Sequence, residues 1–322
     1  MPDLSIIIVN WNTRDLLGKC LRSIYDNTDG LTFEVFVIDN ASRDGSVEMV
    51  RREFSQARLI RNKENFGFAR GNNQGFSQAK GKYVLMLNPD TEVVDDALFK
   101  MVDYLESNQE VGAVSARFVY PDGTFQRYYR RFPTFLSMLT TWFLPRSLGH
   151  KLRPTRAYLM LDDDFEKVIE VPQPAGSCLM VRRGLFSEED LMDEQFPIFF
   201  NDVDLCRRIY NKGKKVYVLP DATIIHHWSK GGSEEGKRSL FLSGEYFISM
   251  IDYFSKYERA VKADLLRILI SLGFLIRILA FFIGYIFRIK NREELRIEAS
   301  RFDIFLWRKS VFERKPLAEV ER

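Results

Sequence analysis

The chain has 322 residues, of which 46% are hydrophobic, 14% aromatic and 28% charged. This composition excludes collagen-like and low-complexity chains and suits one large domain with an appendage, or two domains. Its 47 basic and 44 acidic residues leave only +3, which argues against a nucleic-acid partner, yet the balance is uneven: from Ser255 onward 15 basic residues face 9 acidic ones, so a basic tail follows an acidic body.

The start has no basic n-region and runs directly into an apolar strand pattern, so no secretory signal is expected. Residues 5–9 (SIIIV) predict a buried strand and residues 14–25 a helix, with Leu16, Leu17, Cys20, Leu21 and Ile24 on one face. Strands at 35–38, 58–60, 83–87 and 111–119 alternate with helices at 46–54, 72–79 and 95–107, the pattern of a parallel sheet flanked by helices. Residues 122–161 lack a clear period and hold seven basic residues against one acid, which predicts a long loop or short helices. This stretch is either a solvated connector or a flap near a phosphate-bearing acceptor or an anionic membrane. Beyond it come a strand at 176–182, a helix at 204–212 and strands at 216–219 and 223–225. Cys20, Cys178 and Cys206 are odd in number and widely spaced, so they read as reduced thiols on the cytoplasmic side.

Ligands of open α/β sheets bind beyond the carboxyl ends of the strands. There the chain is unusually polar: Asn10-Trp11-Asn12-Thr13, Asp39-Asn40-Ala41-Ser42, Asn65-Phe66-Gly67 and Asn88-Pro89-Asp90. Singly, each could be turn chemistry. Asp90, at the exit of a buried strand, suits Mg²⁺ or Mn²⁺, which take one or two carboxylates plus phosphate oxygens, or else belongs to a Pro-Asp turn. Asp202 and Asp204 follow the aromatic stretch 196–200 and open a helix; either could be an N-cap or a general base held up in pKa by apolar surroundings, and Asp202 is favoured as base. His226 and His227 follow a strand, where an imidazole is a metal ligand or a structural hydrogen bonder.

The blocks SIIIVNWNT, VIDNASRDGS, NFGFARGNNQG, YVLMLNPDTEV, PAGSCLMVRR, FFNDVDLCRR and VLPDATIIHHWSKGGS, in this order, resemble family 2 glycosyltransferases of the GT-A fold, and among them the bacterial rhamnosyltransferase-like members. The resemblance covers about residues 3–232 and implies an α/β GT-A domain over residues 1–232. It implies a nucleotide-sugar donor, dTDP- or UDP-linked, with Asp39 on the pyrimidine base and Val9, Asn10 and Asn12 along base and ribose. Asn65, Gly67, Asn72 and Asn88 would border the donor. Asp90 and His226 would hold a divalent cation (Mg²⁺ or Mn²⁺), Asp202 would be the base of an inverting transfer, and Gly176, Ser177 and Asp204 would border a lipid-linked or polysaccharide acceptor. Two departures stand out: Asn88 and Asn201 occupy positions where the family pattern has carboxylates. A UDP-hexose or galactofuranosyl donor, or a catalytically silent scaffold, are the alternatives.

Residues 233–322 form the expected C-terminal helical, membrane-associating region. Residues 268–287 are apolar apart from Arg277, just long enough to cross ~30 Å of hydrocarbon. Gly273, Arg277, Ala280, Gly284 and Arg288 share one narrow face, and further basic residues lie between 288 and 309. The helix is expected to span the membrane or lie on its anionic cytoplasmic face, or else to pack on the body or form a homo-oligomer.

Overall fold

The computed structural model describes residues 1–187, 191–227 and 237–286. The expectations for Trp228 to Ser233 and for Arg288 onward, and for the side chains of Arg277 and Ala280, lie outside the described residues.

The first half follows the strand–helix alternation: β1 (Leu4–Asn10), α1 (Arg14–Asp26), β2 (Phe33–Asp39), α2 (Ser46–Glu53), β3 (Arg58–Arg61), α3 (Gly67–Phe76) and β4 (Tyr83–Leu87). Every residue of β1 and β4 is buried, as continuous apolar runs of a sheet covered on both faces require. Next come β5 (Thr91–Val93), α4 (Ala97–Ser107) and β6 (Val111–Val119). The basic stretch resolves into β7 (Tyr129–Arg130) and the short helices α5 (Phe135–Trp142), α6 (Arg146–Gly149) and α7 (Arg153–Tyr158). β8 (Ile169–Glu170), β9 (Gln173–Pro174), β10 (Cys178–Arg182), α8 (Asn201–Asn211), β11 (Lys215–His226), α9 (Lys237–Tyr257) and α10 (Ala260–Ile286) complete the chain.

Among the described residues the main sheet has nine strands in the order β3-β2-β1-β4-β10-β6-β11-β5, with β8 added beside β11; β7 and β9 pair separately. β3, β2, β1 and β4 are parallel neighbours, as are β6 and β11, whereas β10 enters antiparallel between β4 and β6. This is a mostly parallel GT-A-like sheet flanked by helices. The insertion matters because it delivers the segment before β10 to the carboxyl end of β4, where Cys178 stands opposite Leu87.

Three elements differ from the sequence expectations. The strands expected at 216–219 and 223–225 are one strand, β11, whose register against β6 shifts between Leu219 and Thr223. Pro220 lies in that shift and has no N–H for the ladder, so a bulge carries the strand past it. The helix expected from residue 72 begins at Gly67, because the Asn65 Oδ1 accepts the Gly67 N–H at 2.9 Å and Gly67 takes a φ of +85°. The helix expected from residue 204 begins at Asn201, which places Asp202 and Asp204 together in its first turn.

All three cysteines are free and buried. The C-terminal helices are not a detached appendage. Phe254, Leu266, Ile270 and Phe274 of α9 and α10 share a core with Met138, Tyr158, Phe200 and Val203. Among the described residues no helix is long and apolar enough to cross a membrane.

Candidate active site

The first cluster is built on the exits of β1 and β2. The Asn10 amide is wholly buried; its Nδ2 donates to Asp39 Oδ1 at 2.9 Å and to Ser42 Oγ at 3.0 Å, and its Oδ1 accepts the Thr13 hydroxyl at 2.6 Å. Asp39 accepts the Ser42 N–H on its other oxygen at 3.0 Å. Asn12 is exposed in the left-handed region, φ +53°, and its Oδ1 accepts the Arg43 N–H at 2.8 Å. These bonds pin residues 40–43 as one wall of a cleft of about 670 Å³, within the size range of ligand sites. Trp11, Arg43, Arg61, Lys63 and Asn65 line it. Three cations against Glu64 make the cleft suited to an anionic ligand.

Of the donor residues expected from sequence, Asn65 lines this cleft, while Asp39 and Asn10 lie beneath it as its brace. Val9 instead faces α3, where a Cβ on Gly71 would come within 2.8 Å of Val9 Cγ1, so the glycine is what lets helix and strand close together. Asn72 is likewise buried in α3; its Nδ2 donates to Phe68 O, and its Oδ1 has no hydrogen-bond partner among the described residues. The cations Arg43, Arg61 and Lys63 were not singled out in the sequence. The signal was their position after the second and third apolar runs.

The second cluster forms where β4 and β11 end. Thr91 Oγ1 donates to Asn88 O at 2.7 Å and locks the Asn88-Pro89-Asp90 turn. Asp90 Oδ1 lies 3.5 Å from His226 Nε2, and the His227 N–H donates to Asp90 O at 2.9 Å. Gln126, buried, grips His226 twice: its Nε2 donates to the His226 carbonyl at 2.6 Å, and its Oε1 lies 3.1 Å from Nδ1. With the amide so oriented, Gln126 Oε1 accepts the Nδ1 proton, so a neutral ring would present its Nε2 lone pair on the side of the Asp90 carboxylate. Two electron-pair donors converging in this way fit a shared divalent cation. No third His, Cys, Asp or Glu joins them among the described residues, which leaves the remaining valences of a hard cation to phosphate and water. Asp90 and His226 are therefore the pair that would hold the ion.

Gln126 was not found from sequence. It stands 100 residues before His226, with no local pattern to mark it. Because a hydrogen-bonded outer partner fixes the ligand's tautomer, Gln126→Leu is expected to weaken Mn²⁺ binding about 10- to 100-fold, with Gln126→Glu closer to the parent. Titration of Mn²⁺ followed by electron paramagnetic resonance reads this directly; equal affinity in Gln126→Leu would remove the clamp from the site.

The third cluster centres on Asp202. Phe200, at φ +63°, turns the chain sharply into α8. Asp202 Oδ2 accepts the Gly176 N–H at 3.0 Å and Oδ1 accepts the Val203 N–H at 2.8 Å. Although the residue keeps part of its surface in solvent, burial of the carboxyl pushes its pKa above the ordinary value, and the two N–H bonds pull part of that back. A Cβ on Gly176 would sit 3.2 Å from Asp202 Cβ, so a bare backbone is what fits beside this acid.

Asn201 and Asn88, the two departures noted from the resemblance, both donate where a carboxylate could not. Asn201 Nδ2 donates to Ile198 O at 2.7 Å and Phe196 O at 3.3 Å, holding the aromatic loop. Asn88 Nδ2 donates to Ser177 Oγ at 3.2 Å, and the Asn88 N–H donates to Ser177 O at 2.9 Å. The Asp90 turn is thus tied to Ser177, and the adjoining Gly176 is tied to Asp202.

Asp204 departs from the expectation that it borders the acceptor. It is 0% exposed, and its carboxylate is spent on Arg208 Nε at 2.8 Å, Lys256 Nζ at 2.6 Å and the Tyr257 hydroxyl at 2.6 Å. It is the pin between α8 and α9. Beside the start of α8 the structure gathers aromatic residues instead: the Tyr246 ring packs on Phe200 at 5.4 Å and on Trp142 at 5.1 Å.

The family model described as glycosyl transferase family 2 matches residues 5–188. The O-antigen biosynthesis protein RfbC of Myxococcus xanthus is 28% identical over 71% of the chain. The chain spans only 17% of the length of RfbC and 26% of that of a Sinorhizobium fredii relative that is also 28% identical. The N-acetylglucosaminyl-diphospho-decaprenol L-rhamnosyltransferase of Mycobacterium tuberculosis is 24% identical over 70% of this chain and 76% of its own. Among solved structures, the mannosyltransferase PcManGT of Pyrobaculum calidifontis, in complex with GDP-Man and Mn²⁺, superposes with a TM-score of 0.53 at 17% identity, covering 98% of this chain and 88% of that one. The family match takes in the basic cleft, the Asp90 turn and Gly176–Ser177 on the fold those elements build: the chain belongs to glycosyl transferase family 2.

Proposed function

We propose that the chain is an inverting, metal-dependent glycosyltransferase that moves L-rhamnose from a dTDP-linked donor to a lipid-linked or polysaccharide acceptor at the cytoplasmic face of a membrane. The observation that carries this reading is the hydrogen-bonded bridge from the Asp90 turn through Ser177 and Gly176 to Asp202, which joins a candidate cation pair to a buried carboxylate. The names of the rhamnosyltransferase relatives support the sugar, and the decaprenol-linked relative supports a lipid-linked acceptor.

In this reading the basic cleft holds the nucleotide. Asp202 takes the proton of an acceptor hydroxyl, whose oxygen attacks the anomeric carbon from the face opposite the nucleoside diphosphate; the carbon–oxygen bond to the diphosphate breaks, and the configuration inverts. A divalent cation at Asp90 and His226, when bound, neutralises charge on the departing diphosphate. Asn88 and Ser177 keep that turn in register with the acceptor loop.

A panel of nucleotide sugars tests the reading. The matching donor should raise the unfolding temperature in the presence of Mn²⁺, because a ligand that binds only the folded state stabilises by mass action, and chelator should abolish the effect. NMR of the product should show the opposite anomeric configuration; retention, or protection by no dTDP- or UDP-sugar, would overturn it.

A further inference from the structure

We infer that α5, α6 and α10 together form a monotopic docking face for an anionic lipid bilayer, and that it holds the Asp202 loop beside the membrane. This deepens the proposed function by assigning the surface that receives a lipid-linked acceptor.

The first observation is α10, which is apolar on opposite sides. Ala263, Leu266, Ile270 and Phe274 are buried in the core shared with α9. Facing away from them, large apolar side chains recur every three to four residues from Val261 to Ile286, and Ile276 is 67% exposed. At 1.5 Å per residue this stripe is about 38 Å long. A water-soluble helix would carry polar residues there. Since the described helices include no candidate span, the stripe suits a helix lying in the interface plane.

The second observation is that α5 and α6, more than 100 residues earlier, extend the same surface. Phe143 packs against α10: a Cβ on Gly273 would lie 3.7 Å from its ring. Trp142, 46% exposed, rests on Tyr246 and Phe247 at 5.1 and 5.5 Å. Leu136 of α5 is also exposed, as is Leu148 of α6, whose Gly149 packs on Thr140 of α5. Two distant parts of the chain thus meet, and each brings exposed apolar side chains beside the contact.

Charge selects the occupant. Of the basic residues in this stretch, Arg131 and Arg156 are paired with Asp163 and Asp162. Arg146, Lys151 and Arg153 are exposed around Leu148 and enter no ion pair among the described residues. In a symmetric contact with a second copy, an apolar face with such a rim would bring like charges together. Anionic headgroups complement it. The ring contacts Trp142–Tyr246–Phe200 then run from this face to the residue that turns the chain into α8, two positions before Asp202.

Sedimentation of the full chain with vesicles tests the assignment without any sugar transfer, so its failure leaves the glycosyltransferase reading to the donor experiments. Binding is expected to phosphatidylglycerol–phosphatidylethanolamine vesicles and not to phosphatidylcholine vesicles. The triple variant Leu272→Gln, Ile276→Gln, Leu279→Gln should bind roughly tenfold or more weakly. Arg146→Gln, Lys151→Gln and Arg153→Gln should each lose about fivefold. Circular dichroism and donor hydrolysis should stay at the parent level, which separates lost docking from lost folding. Undiminished vesicle binding in both variant sets would overturn the face. So would a chain that ignores vesicles and forms dimers dissolved by the α10 triple variant, which would assign the surface to a second copy.

Discussion

Asp202→Asn is expected to lower turnover about 10²- to 10⁴-fold, the range of a lost general base, while leaving the donor-dependent rise in unfolding temperature in place. The amide keeps one of the two backbone contacts and the size of the side chain but takes no proton. In the parent, kcat/KM should climb with pH as Asp202 ionises, since only the carboxylate accepts a proton. Burial favours the neutral acid, so this rising limb should lie above the ordinary range of an aspartate and should vanish from the residual activity of the variant. A variant that kept parental turnover with native folding would remove Asp202 from the chemistry.

Asp204→Ala, only two residues on, should behave in the opposite way. Its carboxylate is buried against Arg208, Lys256 and Tyr257, and removal leaves the charges of two cations without their shared anion. Breaking such a buried set costs about 3–5 kcal/mol, and the lower end applies because Lys256 is partly exposed and keeps Asp193 at 2.6 Å. The urea midpoint should fall accordingly. Residual turnover below the new midpoint should exceed that of Asp202→Asn. If stability held and turnover collapsed, Asp204 would return to the acceptor side, where the sequence pattern put it.

The contrast shows what could be read from sequence. The strands β1, β2 and β4 announced themselves because strands buried on both faces are continuous apolar runs, and the residues at their exits followed from the rule for open sheets. β5, β7, β8 and β9 are two or three residues long and carry no period to detect. In the sequence Asp202 is favoured over Asp204 as base, and Asp204 is left beside the acceptor. Only the packing of α9, which brings Lys256 and Tyr257 from some 50 residues away, shows Asp204 to be a buried pin. Asn10 was legible as polar and near the donor, but its role as the brace of Asp39 depends on a partner from the neighbouring strand. Gln126 had no sequence signal at all.

The antiparallel entry of β10 has a consequence for how specificity is written along the chain. Everything that lines the cleft lies between Trp11 and Asn65, and the Asn88–Asp90 turn follows it, whereas Gly176, Ser177, Asp202 and His226 arrive much later and meet the earlier part at several seams: Asn88 with Ser177, Phe68 and Ala69 with the Pro197 carbonyl, and Asn73 with Met192. In the proposed reading the nucleotide is held by the early stretch, while the acceptor residues and one of the two cation ligands, His226, come from the late one. A chimaera that exchanges residues 176–202 between relatives would therefore have to leave His226 in place and keep the contacts of Asn88 with Ser177, of Phe68 with Pro197 and of Asn73 with Met192 matched.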